Sequence, residues 1–538
     1  MCFLWRVGQK SLLLLLGAVL YILAAPPYEW SLAGWVALSP LFLVIRSATP
    51  LAAFTAGFAY SLLTCAGITY WLYFAIAAYF PLSPVIALLF TLLSYSVFVG
   101  VYIGLASAGA CILMRRPRSL LSWLGVPALW VGAEYARTSL FSGFSWELLG
   151  YTQYHHLPLI QFVDLTGVYG LSFLLAFSSY VVAEAVVSFR PSLAALHSPP
   201  SALQFPWSAS SMLLAGIVLA YVYGTVRLHQ YAGDTRSTPL SVAVVRSAIP
   251  NAQRWQRASH ASSLLRYLAT THQGIAQQQP DLIVWPEFAI TFYLDQEPAL
   301  RAQLGWLTNS THAALLLGAP RAEREGDATR YYNSAYLLSP DTAPVQIYDK
   351  IRLVPFAEYR PAGFPAFAPQ TDDAPSEFTA GQQSTVFSLL QSAFGVTICY
   401  EATYPTLSRR LVQNGAQFLV NISNDTWLTS PGDAAAAQHF SMTVFRAVEN
   451  KRSLVRAATA GVSAFIDPVG RVSQRSTLAD GVALGEATPR QALTIYTRYG
   501  DWFAILCLGI GAVALGAVRR SAAPHTIISE EQDAAAVA

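Results

Sequence analysis

Long apolar stretches constrain this chain more than any other feature. Eight occur, at roughly Leu12–Ala25, Trp30–Ile45, Leu51–Tyr73, Val85–Met114, Leu120–Ala136, Val163–Phe189, Ser211–Val226 and Trp502–Val518. A run of about 20 apolar residues can cross a hydrocarbon core as a helix. A helix also satisfies its own backbone polar groups there. The first two stretches are short and would suit a tilted or re-entrant hairpin. Leu12–Ala25 could instead be a signal peptide ending at the small residues Ala24 and Ala25. Pro26 and Pro27 and the further apolar runs count against that reading. Only 12% of the residues are charged, where a soluble domain carries about 25%. Glu134, Asp164 and Glu184 are the candidate acidic groups inside the stretches.

Charge orients the stretches. Ten of the 33 Lys and Arg residues lie outside Arg227–Gly500: Arg6, Lys10, Arg46, Arg115, Arg116, Arg118, Arg137, Arg190, Arg519 and Arg520. With the N-terminus in the cytoplasm and eight crossings, every one except Arg137 falls on the cytoplasmic side, as positively charged flanks do. Residues 227–500 then lie outside the cytoplasm. The expected domains are a membrane domain at 1–226, an extracytoplasmic domain at 227–500, a last membrane helix at 501–520 and a cytoplasmic tail at 521–538. The proline-bearing stretch Pro191–Pro206 reads as a cytoplasmic loop. The acidic, Ala-rich Ser529–Ala538 reads as disordered. A net charge of +3 and the lack of a basic block give no case for nucleic acid.

Between Arg227 and Gly500 the pattern changes to short β-branched runs alternating with helical ones. Expected strands are Leu240–Val245, Leu282–Trp285, Ala314–Gly318, Ser334–Leu338, Val345–Tyr348, Gly395–Ile398, Gln417–Ile422, Ser453–Ala457 and Val462–Ile466. Expected helices include Ser259–Thr271 and Ala434–Lys451. This alternation indicates an α/β sandwich with strands covered on both faces.

Three expected strands run into reactive groups: Glu287 after Trp285-Pro286, Lys350 after Asp349, and Cys399 after Ile398. A thiol attacks as the thiolate and is mostly protonated at neutral pH, so a nearby carboxylate would serve as its base. A fixed ammonium would stabilise the oxyanion that forms on a carbonyl, an effect of about 3–4 kcal/mol per donor in a dry site. Cys399 is the lone cysteine of this region; Cys2, Cys65, Cys111 and Cys507 lie in or beside apolar stretches. Singly, each residue has a plainer reading: Glu287 a helix cap, Lys350 a surface charge, Cys399 a core filler. His439, 40 positions downstream, is the one nearby histidine that could pair with Cys399.

The blocks Ile283-Val284-Trp285-Pro286-Glu287, Tyr348-Asp349-Lys350 and Ile398-Cys399-Tyr400-Glu401 resemble, in content and order, the signature blocks of the nitrilase superfamily. The run Tyr348-Asp349-Lys350-Ile351-Arg352-Leu353-Val354-Pro355-Phe356-Ala357-Glu358-Tyr359 is similar to the lysine block of apolipoprotein N-acyltransferases. So are Ser142-Gly143-Phe144-Ser145-Trp146 and Gly150-Tyr151. The resemblance implies a multi-span membrane domain of about eight helices plus a nitrilase-like α-β-β-α sandwich, in the bacterial inner membrane with the catalytic domain periplasmic. It implies transfer of an acyl chain from a phospholipid, typically phosphatidylethanolamine, through a thioester on Cys399. The acceptor would be the α-amine of the diacylglyceryl-cysteine that begins an apolipoprotein. No cofactor or metal is called for. Glu287 would be the general base, Lys350 the oxyanion stabiliser and Glu358 a supporting acid–base group. Trp255, Glu401 and Trp427 match further family positions tied to activity, although both tryptophans would also suit packing, and Tyr400 would help to shape the nucleophile turn. Ala357 stands where the family usually has Gly, and Ser145 where Pro is common. The segment Arg360–Ala380, with Phe364, Phe367 and Phe378, would form a mobile lid facing the membrane, or else an ordinary surface loop.

Two rival readings share parts of this pattern. A membrane-anchored amidase would use the same three residues but needs a single anchor. A non-enzymatic transporter or scaffold would not need all three intact, and a proton-driven transporter usually carries more charge within its spans.

Overall fold

The computed structural model describes residues 2–79, 83–115, 119–141, 143–189, 206–232, 238–247, 249–340, 344–361, 375–428, 433–477 and 480–520. Most of the expected lid, the loop before Pro206 and the C-terminal tail lie outside them. Among the described residues, five helices are long and apolar enough to cross a membrane: Pro50–Ile68, Pro84–Met114, Val168–Ser188, Trp207–Tyr231 and Trp502–Arg520. The stretches Leu12–Ala25 and Leu120–Ala136 fall on the helices Cys2–Ala24 and Leu120–Ser139.

Three expected continuous spans are corrected; one, Leu51–Tyr73, breaks at Thr69-Tyr70 into Pro50–Ile68 and Trp71–Tyr79. Trp30–Ile45 is a 3-10 turn, Ser31–Trp35, followed by a short helix, Ser39–Ile45. Pro40 sits in the first turn of that helix, where its missing N–H costs nothing but where it cannot continue a preceding helix. Val163–Phe189 divides at Gly167, which has φ +67, into Val163–Thr166 and Val168–Ser188. A Cβ at Gly167 would lie 2.7 Å from the Tyr496 ring, so only glycine fits this turn.

The three acidic groups expected within the apolar stretches each have partners. Glu134 accepts from Trp130 Nε1 at 3.0 Å and from the Leu149 amide at 2.8 Å. Glu184 pairs with Arg46. Asp164 pairs with Arg227 at 2.9 Å and Lys451 at 3.6 Å. Paired in this way, they are structural ties, not the open charged sites of a transport path. Arg137, the exception to the charge rule, is buried and donates to the carbonyls of Phe144, Trp146 and Glu147.

The α/β part holds two six-stranded sheets. The first contains β1 (Leu240–Arg246), β2 (Leu282–Val284), β3 (Ala314–Glu325), β4 (Ala328–Leu338) and β5 (Gln346–Asp349). The second contains β6 (Val386–Leu389), β7 (Ser392–Ile398), β8 (Phe418–Ser423), β9 (Leu454–Ala458), β10 (Ser463–Ile466) and β11 (Val472–Ser476). The last strand, β12 (Gly481–Ala487), returns to the edge of the first sheet beside β1. The orders are β12-β1-β2-β3-β4-β5 and β11-β10-β9-β8-β7-β6. Each sheet has three parallel central strands with antiparallel neighbours.

Alternation along the strands builds the layers. Val242, Val244, Leu282 and Val284 meet Val396, Ile398, Val420 and Ile422 between the sheets. Ala243, Val245, Leu315 and Leu317 face the helices His260–Gly274 and Pro298–Thr311. The helices Pro405–Gln413 and Ala434–Asn450 pack on the other sheet. The result is the expected α-β-β-α sandwich. The Ala434–Asn450 helix shares one continuous apolar core with the membrane helices, which seats the sandwich on the membrane part. Strands β6, β11 and β12 were not expected. β11 is polar and mostly exposed, so it carries no period-two apolar signal.

Candidate active site

β2, β3 and β5 run in the same direction, so the C-terminal ends of β2 and β5 lie at one edge of the first sheet. Those ends deliver Glu287 and Lys350. Phe288 turns at φ +49, and Gly318 of β3 passes beneath. A Cβ on Gly318 would stand 2.6 Å from the Glu287 Cα, so glycine is what permits that approach. β7 of the facing sheet delivers Cys399, itself at φ +50. A cysteine rarely adopts this left-handed conformation, and strain of this kind persists where surrounding structure holds it.

Three of the expected residues meet directly. Lys350 Nζ donates to Glu358 Oε1 at 2.9 Å and to Glu287 Oε1 at 3.2 Å. Asn333, on β4, donates from one nitrogen to both of those oxygens at 2.7 Å. The other oxygens accept backbone amides: Asn424 on Glu287 and Val354 on Glu358, each at 2.7 Å. All four side chains are buried. Burial works against the Lys350 ammonium, but the Glu287 and Glu358 carboxylates outweigh it and hold its pKa above the usual value. Burial pushes the Glu287 carboxyl up, with the Lys350 charge opposing. Burial also pushes the Cys399 thiol up; the Glu287 charge adds to this and the Lys350 charge pulls the other way. The resting thiol is therefore protonated and needs a base to react.

Glu401 has a different place. Its oxygens accept from the Tyr348 hydroxyl and from the amides of Ile351, Arg352 and Ile398. Burial raises its carboxyl to about 7 against those donors. It ties the turn of Cys399 to the turn of Lys350 and is a positioning group. Tyr400 has its hydroxyl 2.9 Å from that of Tyr404, which also reaches the Gly143 carbonyl at 3.2 Å. Ser145 donates to Thr403 at 3.0 Å. The Ala357 departure is harmless: the left-handed residue there is Phe356, at φ +66, and Ala357 keeps negative φ.

Trp255 meets Phe288 edge-on, ring centres 5.1 Å apart, and Phe288 lies tilted against Phe378 at 5.7 Å, an aromatic group beside Glu287. Buried Arg254 holds this corner through the carbonyls of Phe288 and Ile249. The Trp427 backbone lies in the turn Asp425–Leu428; its side chain is outside the described residues. The sequence reading missed Asn333, whose signal is a lone amide inside an apolar strand. His439 does not pair with the thiol: its Nε2 donates to the Cys399 carbonyl at 3.0 Å. Its Nδ1 lies 3.1 Å from both Asp425 and Arg456.

An apolar cleft lies where the membrane part meets the turns beside Lys350 and Cys399. Trp71, Ile76, Phe90, Phe144, Trp146 and Phe356 line it, together with Tyr400 and the backbone run Val354–Ala357, and it leaves about 910 Å³ of empty space, part of it open to the outside. Its walls include the residues that follow Cys399 and precede Glu358. A lining of this apolar and aromatic character suits an apolar ligand. Among the described residues no His, Cys, Asp and Glu cluster could hold a metal ion.

Residues 17–181 match the family model described as the apolipoprotein N-acyltransferase N-terminal domain, and residues 241–491 match carbon-nitrogen hydrolase. The chain is 36% identical over 524 residues to a Geobacter metallireducens protein named apolipoprotein N-acyltransferase, covering 96% of this chain and 97% of that one. An Azotobacter vinelandii protein of the same name is 33% identical over 534 residues, with 96% and 97% covered. Among solved structures, Saccharomyces cerevisiae Nit3, a member of branch 10 of the nitrilase superfamily, is 16% identical with a TM-score of 0.36, covering 55% of this chain and 97% of that one.

Proposed function

The chain belongs to the apolipoprotein N-acyltransferase family, and on that premise we propose that Cys399 carries the acyl group as a thioester between a phospholipid and the α-amine of a diacylglyceryl-cysteine. The protein is a membrane acyltransferase that acts in lipoprotein maturation. The proposed donor is phosphatidylethanolamine. In the first step Glu287 takes the thiol proton as sulfur attacks the ester carbonyl. Lys350 stabilises the oxyanion. Collapse expels the glycerol oxygen, which takes the proton from Glu287 and leaves as lysophospholipid. In the second step the amine attacks the thioester, gives its proton to Glu287, and the departing thiolate recovers it. Glu358 orients Lys350. Tyr400 and Glu401 shape the nucleophile turn, and Trp255 and Trp427 act as supporting or substrate-binding residues.

One observation carries this reading: an ammonium at a strand end held by the buried carboxylates of Glu287 and Glu358, beside a left-handed cysteine, with an apolar cleft lined by residues adjacent in sequence to Cys399 and Glu358. A soluble-amide hydrolase has no use for such a cleft. The proposed layout is eight crossings, counting Cys2–Ala24, the broken Ser31–Ile45 segment and Leu120–Ser139. The 227–500 domain is periplasmic, 501–520 is the last helix, and both termini are cytoplasmic in the inner membrane. The test is purified enzyme with acyl-labelled phosphatidylethanolamine and no acceptor. Label should appear on Cys399, be removed by hydroxylamine, and move as an amide to an added diacylated lipopeptide. Lysophospholipid released only when both substrates are present would mean direct transfer.

A further inference from the structure

The Ala434–Asn450 helix presents two adjacent residues to two different regions. His439 reaches the Cys399 carbonyl. Gln438, buried, reaches the membrane part. Its Oε1 accepts from the indole nitrogens of Trp71 at 3.1 Å and Trp146 at 2.7 Å. Its Nε2 donates to the carbonyls of Pro26 at 3.0 Å and Ile68 at 2.8 Å. With donors on one side and acceptors on the other, the amide has one allowed orientation. The four partners lie before the Ser31–Trp35 turn, at the end of the Pro50–Ile68 helix, at the start of Trp71–Tyr79 and in the loop after Leu120–Ser139.

The two indoles pack against each other, with ring centres 5.0 Å apart, and both line the apolar cleft. The Trp146 ring also lies 5.7 Å from the His439 ring. A tryptophan in an apolar wall has a few staggered rotamers to choose among. A hydrogen bond from its one N–H selects among them. Gln438 makes that selection for two tryptophans at once, from a helix whose next residue touches the nucleophile. The cleft wall is thereby registered to Cys399.

We propose that Gln438 is a positioning residue for acyl-chain binding: through the indole N–H groups of Trp71 and Trp146 it sets the shape of the cleft, and hence which acyl chains place their ester at Cys399. This rests on the cleft being the acyl site. It places the effect of Gln438 on donor saturation and chain-length choice, not on the reactivity of the thiol.

The test uses full-length enzyme in detergent–phospholipid micelles with phosphatidylethanolamines of graded chain length, reading lysophospholipid release. Alkylation of Cys399 by iodoacetamide reports the thiol independently of the cleft. In Gln438→Met, of similar length but without the hydrogen bonds, KM for the preferred donor should rise about tenfold or more and the chain-length preference should flatten. The alkylation rate should stay within about twofold of wild type. Trp71→Phe/Trp146→Phe keeps ring packing and removes only the N–H groups. It should reproduce the shift, and serves alone if Gln438→Met does not fold. A merely structural role would lower kcat and alkylation together through loss of active protein, and leave KM and chain preference unchanged. That result, or wild-type KM in the double Phe variant, would overturn the proposal. Wild-type enzyme that releases no lysophospholipid would instead overturn the reading of the reaction.

Discussion

The hydroxyl of Tyr348 reaches both carboxylate oxygens of Glu401, at 2.8 and 2.9 Å. Tyr348 lies in β5 two residues before Lys350, and Glu401 follows Cys399 by two. The pair therefore joins the two sheets where the reacting groups emerge. Three backbone amides complete the ring of donors around Glu401. Tyr348→Phe removes one donor and should cost about 1–2 kcal/mol. Glu401→Gln turns an amide N–H toward backbone N–H groups and should cost more. Thermal unfolding, with the rate of Cys399 acylation alongside, checks the order; a glutamine variant as stable and active as wild type contradicts it.

Glu287→Gln keeps the size of the side chain and the bond from Asn424 but cannot accept a proton. The variant should fold and insert, and form the acyl-enzyme about 10²–10⁴-fold more slowly. Single-turnover acylation with labelled phospholipid measures this. Wild-type kinetics would remove Glu287 from the base role.

Asn333 touches both carboxylates that hold Lys350. Asn333→Asp brings a third carboxyl into the cluster. Like charges raise one another's pKa, so Glu287 should keep its proton to higher pH. The acid limb of the acylation profile should move upward in pH, with a loss of about tenfold or more at neutrality. An unmoved limb would show that Asn333 does not act on the base.

Glu449 is buried beside Arg446, at 3.0 Å, and burial raises its carboxyl from 4.5 to about 7. The folded chain holds that proton more tightly than the unfolded chain between these values. Its contribution to stability is thus full below about 4.5 and is lost as pH rises through about 7, to a total near 3 kcal/mol. Glu449→Gln does not titrate. The stability of the glutamine variant relative to wild type should grow from pH 5 to pH 8 in thermal melts. A constant difference would show that Glu449 does not ionise in this range.

Reporter fusions at Gly233 and at Ala538 examine the orientation. A periplasm-active reporter should be active at Gly233 and silent at Ala538. Arg137, on the wrong side for a topogenic charge, is engaged by three carbonyls. Arg137→Leu should therefore destabilise the loop through Glu147 without inverting the protein, and an inverted reporter pattern in that variant would contradict this.

The sequence alone determined the parts that depend on local pattern. Apolar length marked the candidate membrane helices, short β-branched runs marked most strands, and three strand ends marked Glu287, Lys350 and Cys399. Those signals are written in neighbouring residues. Tertiary structure decided whatever depends on distant residues meeting. Trp30–Ile45 and Val163–Phe189 are each apolar on average, and hydropathy does not register a turn such as that at Gly167, packed on Tyr496 from the far end of the chain. Asn333 and Glu287 are 46 positions apart, and Gln438 is 367 positions from Trp71. No periodicity links such pairs, because a hydrogen bond between buried groups is specified by the packing of the elements that carry them. Glu401 reads in sequence as one more acid after a cysteine. Only the meeting of two sheets makes it the acceptor that joins their active edges.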